Sequence, residues 1–502
     1  LALLIDGLAT QQASAVKEAM GPSKAVAFGP DGPPTKAAIG FATGQGVAVQ
    51  DLQIRATPKG EYVFAVKQER GQAVATVLTQ LVPALLAKLS FPKAMHWNET
   101  GLRFARPIRW LVVLCGGKIL PITFASIKAG NQTYGHRIMS PAAAKGRGFS
   151  VTSIAQYLKD TERHGVIVDQ ARRREMILAQ LAALAKSGRG SLHHDEELIE
   201  QAVYMVEYPH SILGSFKPHY LSLPKEILMT SMKEHQGFFA LIDQKGGLLP
   251  NFLAVTNMKL SNMQLIREGN ERVLAARLAD ARFFFDEDRK QPLSARVDKQ
   301  QAVTFQQKLG SLRQKTTRVV ALAAAIAESL GGGALVEDAH RAAELCKTDL
   351  LTGIVGEFPT LQGIMGGEYA AHDGERPAVS QAIREQYMPR AMEGDLPESL
   401  AGKVLSLADR FDTVTAFFYV GLVPSGSEDP FALRRHATAI VRILIESKLR
   451  LDLAQVIGLA QEQLAKQSVA PAASGGGFDD DGEADVFGRL LRILFAAKFA
   501  GT

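Results

Sequence analysis

The sequence is poor in the residues that mark a disulfide framework, a structural zinc site or a membrane span. Its 502 residues include two cysteines, Cys115 and Cys346, which lie in apolar surroundings without CxxC or CxxH spacing. We therefore expect both to be reduced core residues in a reducing compartment. The chain also lacks an uninterrupted apolar run of the roughly 18 residues that a transmembrane helix needs, so we expect no membrane partner.

Motifs for nucleotide binding and nucleophilic catalysis are absent as well. The chain contains neither GxxxxGK(S/T) nor GxSxG, and no Rossmann glycine fingerprint follows a predicted strand. The first residue is Leu1, and "LALLIDGL" has the apolar character of a strand, without the features of a signal or transit peptide. We therefore expect no site for ATP chemistry in this chain, and a start inside a longer protein.

The residues that are present describe an ordinary globular protein with a slight excess of positive charge. Hydrophobic residues make up 46% of the chain and charged residues 22%, which is typical of folded proteins. The net charge is +6, from 57 Lys and Arg against 51 Asp and Glu, and this excess permits a polyanionic partner without requiring one. The length is too great for one hydrophobic core and predicts about two to four domains.

Secondary-structure patterns predict an α+β multidomain fold, with an N-terminal mixed α/β region followed by a mostly α-helical region. The features predicted for residues 1–148 are strands in "LALLIDGL" and "GEYVFAVKQ", a helix capped by Thr35, a helix over 73–90 interrupted at Pro83, and a hairpin at Gly116–Gly117. The later segments are an α/β and helical region at 149–299 with a hairpin at Lys245–Gly247, a helical domain at 300–422, a helical tail at 423–470, a disordered linker at 471–485, and the start of a further part at 486–502.

One segment, residues 269–290, combines dense charge with an apolar stripe. On a helix that begins near Asn270, which is a suitable N-cap residue, one face would be shared by Leu274, Leu278, Ala281 and Phe285. Arg277 and Arg282 would then lie on opposite flanks of that stripe. The simplest interpretation is a surface helix whose arginines lie over apolar neighbours, and contact with a polyanion is the alternative.

A possible metal site is formed by His340, the His372–Asp373 pair and Asp409. Their order, His … HisAsp … Asp, is that of helical phosphohydrolases, in which such ligands hold a divalent metal that activates water. Gly374 follows the pair directly, so we expect it at the end of a helix, whereas ligands in that class project from a helix interior. We therefore predict no metal site, with a metal-dependent phosphohydrolase kept as the alternative function.

Several stretches place basic side chains beside aromatic rings, as phosphate contact and base stacking require. The candidate RNA-binding residues are Arg103, Arg106 and Arg109 in "GLRFARPIRWLV", His136 and Arg137 in "YGHRI", Lys233 and His235 in "TSMKEHQGFF", Arg272, Arg277 and Arg282 in the segment 269–290, and Arg434 and Arg435 in "DPFALRRHATAIVRIL". A solvated surface explains any one stretch alone. Together, in a mildly basic protein, they favour a nucleic-acid partner.

The same stretches resemble the beta subunit of bacterial-type glycyl-tRNA synthetase, in that family's order from residue 1 to about 445. Long motifs carry the resemblance, among them "LPKEILMTSMKEHQGFF", "IREGNERVLAARLADARFFFDEDRK", "KTDLLTGIVGEFPTLQGIMGGEYA" and "DPFALRR". The resemblance implies a beta subunit that grips tRNA(Gly), while an alpha subunit carries the class II site that activates glycine with ATP and Mg²⁺. It also implies a heterotetramer of two alpha and two beta subunits (α₂β₂), fused into one chain in some plastids. The implied location is the bacterial cytoplasm or, alternatively, the plastid stroma.

The resemblance also implies a particular mosaic of domains. Residues 1–148 would be similar to part of the phenylalanyl-tRNA synthetase beta subunit, and 149–299 would bind tRNA. Residues 300–422 would be a degenerate HD-like domain that serves as a scaffold, so no catalytic residue, metal or cofactor is expected in this chain. The family's opening segment and anticodon-binding domain have no counterpart, so we expect truncation at both ends. A non-catalytic RNA-binding derivative of the beta subunit is a further alternative.

Two glycines depart from the family's pattern. Gly237 follows "EHQ", where the family usually has a basic residue, and Gly367 follows "GIMG", where the family often has Arg or a similar residue. Both changes reduce local positive charge. They weaken the expectation of close RNA contact at these two positions.

Overall fold

The computed structural model describes residues 2–29, 32–141, 145–424 and 429–471. Contacts divide these residues into two compact units. The first unit contains the described residues up to 179 together with 199–210 and 256–261, and the second contains 180–198, 211–255 and the described residues from 262 onward. The predicted fold class is confirmed, because small sheets and short helices come first and a mostly helical region follows. The finer segment boundaries stay predictions.

The first unit begins with a three-stranded antiparallel sheet in the order β1–β3–β2. The strands and helices of this part are β1 (Ala15–Ser23), α1 (Lys24–Ala27), α2 (Lys36–Gln45), β2 (Gln53–Thr57) and β3 (Gly60–Glu69). The predicted cap is confirmed, since the Thr35 side chain accepts a hydrogen bond from the Ala38 amide at the start of α2. A small core of Ala27, Ala38 and Val63 lies between the helices and one face of the sheet.

Two predictions for this region are wrong. Residues 2–8, the part of "LALLIDGL" that the structure describes, form no strand, because these exposed residues pair with no described strand and a lone strand has no stable hydrogen-bonding partner. The helix α3 (Val74–Lys88) is not interrupted at Pro83 but continues for five further residues. A proline within a helix removes one backbone hydrogen bond, and the remaining bonds hold this helix together.

Short strands and three longer helices complete the first part of the chain. The short strands are β4 (Leu111–Val112), β5 (Leu114–Cys115), β6 (Lys118–Ile119), β7 (Thr123–Phe124), β8 (Ile127–Gly130), β9 (Gln132–Thr133) and β10 (Phe149–Ser150). The predicted hairpin is confirmed, because β5 and β6 pair through Gly116 and Gly117, with φ of 54° and 77°. The elements that follow are α4 (Ile154–Arg163), α5 (Gln170–Ser187), β11 (Ser191–Leu192) and α6 (Glu196–Met205).

A four-stranded sheet in the order β11–β13–β14–β12 and two helices open the second unit. The new elements are β12 (His210–Ser215), α7 (Lys225–Gln236), β13 (Phe239–Ile242), β14 (Leu248–Thr256) and α8 (Met263–Asp288). The hairpin predicted at Lys245–Gly247 is confirmed, because Asp243 accepts from the Lys245 and Gly247 amides, both at 2.8 Å, between the antiparallel strands β13 and β14.

The predicted start of α8 is wrong by two turns. The helix begins at Met263, and the Asn262 side chain accepts from the Leu265 amide as the N-cap. Asn270 lies inside the helix, where its side-chain amide donates to the Ile266 carbonyl at 2.8 Å. An asparagine can cap a helix or bond back to the preceding turn, so its presence alone did not locate the helix start.

The rest of the second unit is a helical bundle whose core continues from the sheet. Its elements are β15 (Thr304–Gln306), β16 (Gly310–Ser311), α9 (Leu312–Leu330), α10 (Ala334–Leu345), α11 (Gly353–Glu357), α12 (Ile364–His372), α13 (Pro377–Glu385), α14 (Leu400–Tyr419), α15 (Leu433–Glu446) and α16 (Leu453–Lys466). A capping box of Ser311 and Gln314 starts α9. Helix α14 is buried along most of its length and contacts α9, α10, α13, α15 and α16.

Both cysteines are free, with Cys346 fully buried and Cys115 partly so. Burial raises the pKa of the Cys346 thiol to about 12, which keeps it protonated.

Among the described residues, none of the helices has the length and apolar character of a membrane span. The linker predicted at 471–485 and the part at 486–502 lie, apart from Pro471, outside the described residues.

Candidate nucleic-acid interface

The buried face of α8 is as the spacing predicts. Leu274, Leu278 and Ala281 are almost completely buried, and Phe285 is nearly so. These side chains belong to the main core of the second unit. The stripe fixes the rotation of the helix about its axis and therefore decides which of its arginines reach solvent.

Two arginines of α8 are engaged within the second unit. Arg277 forms an ion pair with Glu357 of α11, with 3.3 Å between Nη1 and Oε1. Arg282 forms an ion pair with Asp286 at 2.7 Å and donates from Nη1 to the Ser222 hydroxyl, also at 2.7 Å. Arg272, by contrast, is exposed and makes no ion pair with any residue that the structure describes. The three arginines therefore differ in what a phosphate would have to displace.

Helix α7 places Lys233 in an acidic setting. Its Nζ lies 2.8 Å from both Asp195 and Glu197. Partial burial by itself would lower the pKa of Lys233, but the hydrogen bonds to the two carboxylates outweigh it and raise that pKa. A cavity of about 300 Å³ opens beside the lysine and is also lined by Glu226 and Glu234. Carboxylates thus outnumber the ammonium here, which disfavours a phosphate at this position.

The remaining residues at the end of α7 have structural partners. The imidazole of His235 stacks on Phe358, with 5.0 Å between ring centroids, and its Nδ1 is buried without a hydrogen-bond partner among the described residues. Gly237 ends α7 with a φ of 63° and donates from its amide to the Lys233 carbonyl. A glycine adopts this left-handed conformation without strain, which gives a structural reason for the departure at this position.

Gly367, the second glycine at which the resemblance implied a basic residue, lies at a close contact between two helices. It is buried in α12, and a Cβ added there would lie 2.8 Å from the Ser380 carbonyl oxygen and 2.9 Å from the Arg384 Cβ. These atoms belong to α13, so α12 and α13 approach each other closely at this glycine. A basic side chain at this position would require the two helices to move apart.

Arg434 and Arg435 lie in the first turn of α15, and both are exposed. The carboxylate of Asp429 accepts from the Leu433 amide at 2.8 Å and from the Arg434 amide at 3.0 Å. Asp429 thus supplies the anion that the helix N-terminus would otherwise attract. Any phosphate contact at this end of α15 would have to come from the arginine side chains.

Four of the candidate arginines are exposed on irregular backbone of the first unit. Arg103, Arg106, Arg109 and Arg137 make no ion pair within the ranges that the structure describes. His136 differs, because it is buried and its Nδ1 accepts from the Ile138 and Met139 amides at 3.2 and 3.1 Å. It therefore holds a turn together and does not offer its ring to an external phosphate.

The groups of the possible metal site are held apart by other partners. His340 pairs with Glu344 at 4.0 Å, His372 lies 3.0 Å from Nη2 of Arg289, and Asp373 accepts from the Leu293 amide at 2.7 Å. As predicted, α12 ends at His372. Among the described residues, no group of three or more His, Cys, Asp or Glu side chains could hold a metal ion.

Asp409 belongs to a buried ionic cluster that the sequence motifs did not indicate. Lys315 and Lys347 approach its two carboxylate oxygens at 2.9 and 3.0 Å, and Asp412 binds Lys315 and Arg318. Burial by itself would raise the pKa of Asp409, but the two ammonium groups hold it well below its usual value. The sequence feature that could have predicted this cluster is the presence of charged residues on the apolar faces of α9 and α14, because charged side chains are buried only when they are paired.

The exposed arginines that lack ion pairs among the described residues are free to contact a polyanion such as RNA. Residues 1–485 match a family described as the glycyl-tRNA synthetase beta subunit. The glycine–tRNA ligase beta subunit of Citrifermentans bemidjiense is 46% identical over 473 residues, which cover 94% of this chain and 68% of that protein. For Moorella thermoacetica the identity is 47% over 463 residues (92% and 66%), and for Geobacter metallireducens 43% over 498 residues (98% and 71%). The chain belongs to the glycyl-tRNA synthetase beta subunit family.

Proposed function

We propose that this chain is the tRNA-binding beta subunit of a glycine–tRNA ligase. The observation that carries the proposal is the family match over residues 1–485, with 46% identity across 94% of the chain to a named beta subunit. The absence of a nucleotide-binding motif supports a division of labour. In that division, a separate alpha subunit activates glycine with ATP and Mg²⁺, and this chain holds tRNA(Gly).

The assembly and location follow from the same membership. The word "beta" in the names of the relatives implies an alpha partner. We propose a heterotetramer of two alpha and two beta subunits, in the cytoplasm of a bacterium like the sources of those relatives. No cofactor is assigned to this chain itself.

Exposure and pairing rank the candidate arginines. Arg103, Arg106, Arg109, Arg137 and Arg435 are exposed and lack ion pairs in the part of the chain that the structure describes, so they can reach phosphate without breaking another contact. Lys233, Arg277 and Arg282 would first have to leave an intramolecular carboxylate. A surface ion pair contributes only about 0–1 kcal/mol, which makes that exchange less favourable without forbidding it.

The metal-dependent hydrolase is not favoured. Its four groups have other partners, and the Asp409 carboxylate is already neutralised by two lysines. A hydrolytic metal site needs ligands that converge with an open coordination position, and these residues do not converge.

The proposal is tested by binding measurements on the purified chain. We expect it to bind tRNA(Gly) with a strong salt dependence and to co-purify with the alpha subunit encoded in the same genome. A shuffled RNA of equal length controls for charge alone. Binding of neither tRNA nor the alpha subunit by the folded chain would refute the proposal.

A further inference from the structure

Large apolar side chains lie in solvent on the face of α8 opposite its buried stripe. Leu265, Val273 and Phe283 keep 67%, 47% and 60% of their surfaces exposed. At 100° per residue, Leu265 and Phe283 have the same angle around the helix, and Val273 lies to one side. The exposed residues between them that lie within about 60° of their line are Glu268, Gly269, Arg272, Ala276, Ala279 and Asp280. We call this surface the outer face of α8.

Packing within the second unit does not account for the exposed apolar side chains of the outer face. Of the three consecutive phenylalanines, Phe285 belongs to the core and Phe284 packs partly against it. Phe283 is rotated by 100° from Phe284; its ring meets that of Phe284 edge-on, with 5.6 Å between centroids, and 60% of its surface stays exposed. A single exposed apolar residue is normal on a protein surface. Here, however, two large ones share one line along a rigid helix, with only small or polar residues between them.

The charges of the outer face favour a protein partner over RNA. Its exposed charged residues are Arg272, Glu268 and Asp280, so acids outnumber bases. The flanking Arg277 and Arg282 are paired with Glu357 and Asp286. Contact with a phosphate backbone needs an excess of cations, whereas the centres of protein interfaces are rich in aromatic side chains and poor in charge.

We propose that the outer face of α8 docks the alpha subunit of the ligase. This inference rests on the proposed function, because it requires the chain to have such a partner. Leu265 and Phe283 are 18 residues apart, or about 27 Å at 1.5 Å per residue. With the width of a helix, about 10 Å, the face offers roughly 270 Å², a third of the ~800 Å² that each side of a standard interface buries. It therefore supplies the centre of a larger interface, in which Ala276 and Ala279 let the alpha subunit approach closely and Arg272 meets an acidic group.

Two variants separate a protein partner from RNA. Phe283→Ser removes the aromatic anchor, and Ala276→Arg adds both bulk and a cation to the middle of the face. We expect each to weaken binding of the alpha subunit by at least about tenfold, as loss of an aromatic anchor at an interface centre does. We expect tRNA(Gly) affinity to stay within about twofold for Phe283→Ser, and to be unchanged or higher for Ala276→Arg because its added charge attracts phosphate.

Ile445→Ser is the matched control, because Ile445 is also an exposed apolar residue, at 57%, on a different helix of the same unit. It is expected to leave both affinities unchanged. Calorimetry with the alpha subunit, fluorescence anisotropy with labelled tRNA, and thermal unfolding of every variant complete the experiment. All three changed positions are exposed, so the variants should unfold at the temperature of the unchanged chain.

Each other outcome overturns the inference. If both variants bind the alpha subunit within about twofold of the unchanged chain, the outer face is not part of that interface. If Ala276→Arg strengthens tRNA binding at least tenfold without affecting the alpha subunit, the face meets RNA. If the variants change only self-association, the occupant is a second copy of this chain. Failure of the unchanged chain to bind the alpha subunit would remove the partner that the inference needs, and failure to bind tRNA(Gly) as well would refute the proposed function itself.

Discussion

Replacing Arg106 by glutamine is expected to weaken tRNA binding and to flatten its salt dependence, whereas Arg277→Gln is expected to change neither appreciably. Both arginines are exposed, but only Arg277 has a carboxylate partner, Glu357, at 3.3 Å. Comparing the two variants therefore isolates the contribution of an arginine that has no carboxylate partner. Glutamine keeps part of the aliphatic stem in each case, so packing changes little.

The expected magnitude follows from counterion release. Each phosphate that a cation neutralises contributes about 0.7 to the slope of log K against log salt for single strands and about 0.9 for duplex DNA, and folded tRNA should lie in this range. Between 50 and 200 mM salt, one contact therefore changes affinity by roughly threefold. Arg106→Gln should lower the slope by about 0.7–0.9, and Arg277→Gln by less than about 0.3.

The assay is anisotropy of labelled tRNA(Gly) at four or more salt concentrations, with thermal unfolding alongside. Substitution of an exposed arginine should change the free energy of unfolding by less than about 0.5 kcal/mol. Arg103→Gln, Arg109→Gln and Arg435→Gln extend the series. Equal slopes for Arg106→Gln and the unchanged, folded chain would refute the phosphate assignment, and the exposed arginines would then only solvate the surface.

Further predictions concern the helical bundle. His372→Ala should leave aminoacylation by the reconstituted enzyme within about threefold, a barrier change below about 1 kcal/mol; a stoichiometric divalent metal that disappears with this substitution would revive the hydrolase. Asp412→Asn leaves Arg318 without an acidic partner among the described residues, and Lys315 keeps only Asp409. The substitution should lower the free energy of unfolding by about 3–5 kcal/mol in urea titration; a loss below about 1 kcal/mol would mean that water reaches the cluster. The depressed pKa of Asp409 makes its ion pairs stabilising above the unfolded-state pKa of about 3.9, and this stability is lost as pH falls further. The Asp409→Asn variant should therefore be less stable than the unchanged chain at pH 7, and its free energy of unfolding should fall less steeply below about pH 4. An unchanged dependence of stability on pH in this range would contradict the role given to the Asp409 ion pairs.

Local periodicity predicted the parts of the fold that depend on neighbouring residues. The spacing of Leu274, Leu278, Ala281 and Phe285 gave the buried face of α8, and the glycine pair 116–117 gave a hairpin. Periodicity failed where the deciding partner was missing from the local sequence. "LALLIDGL" has strand-like composition, but no strand that the structure describes pairs with its residues 2–8.

The site was harder to predict, because contacts distant in sequence decide which cations are available. Arg277 and Glu357 are 80 residues apart, and Lys233 and Glu197 are 36 apart. His136 is in a motif typical of a surface contact, yet its ring accepts backbone amides inside a turn. Sequence patterns selected basic and aromatic side chains as candidates but could not tell which of them were already paired or buried.

The division of labour between the two subunits is tested most directly by pyrophosphate exchange and aminoacylation, measured with each subunit alone and with both together. We expect no glycine-dependent exchange of pyrophosphate with ATP by this chain alone, and glycylation of tRNA(Gly) when the alpha subunit is added. Exchange by the purified chain without an alpha subunit would contradict the central claim, because it would place glycine activation in a chain assigned only to tRNA binding.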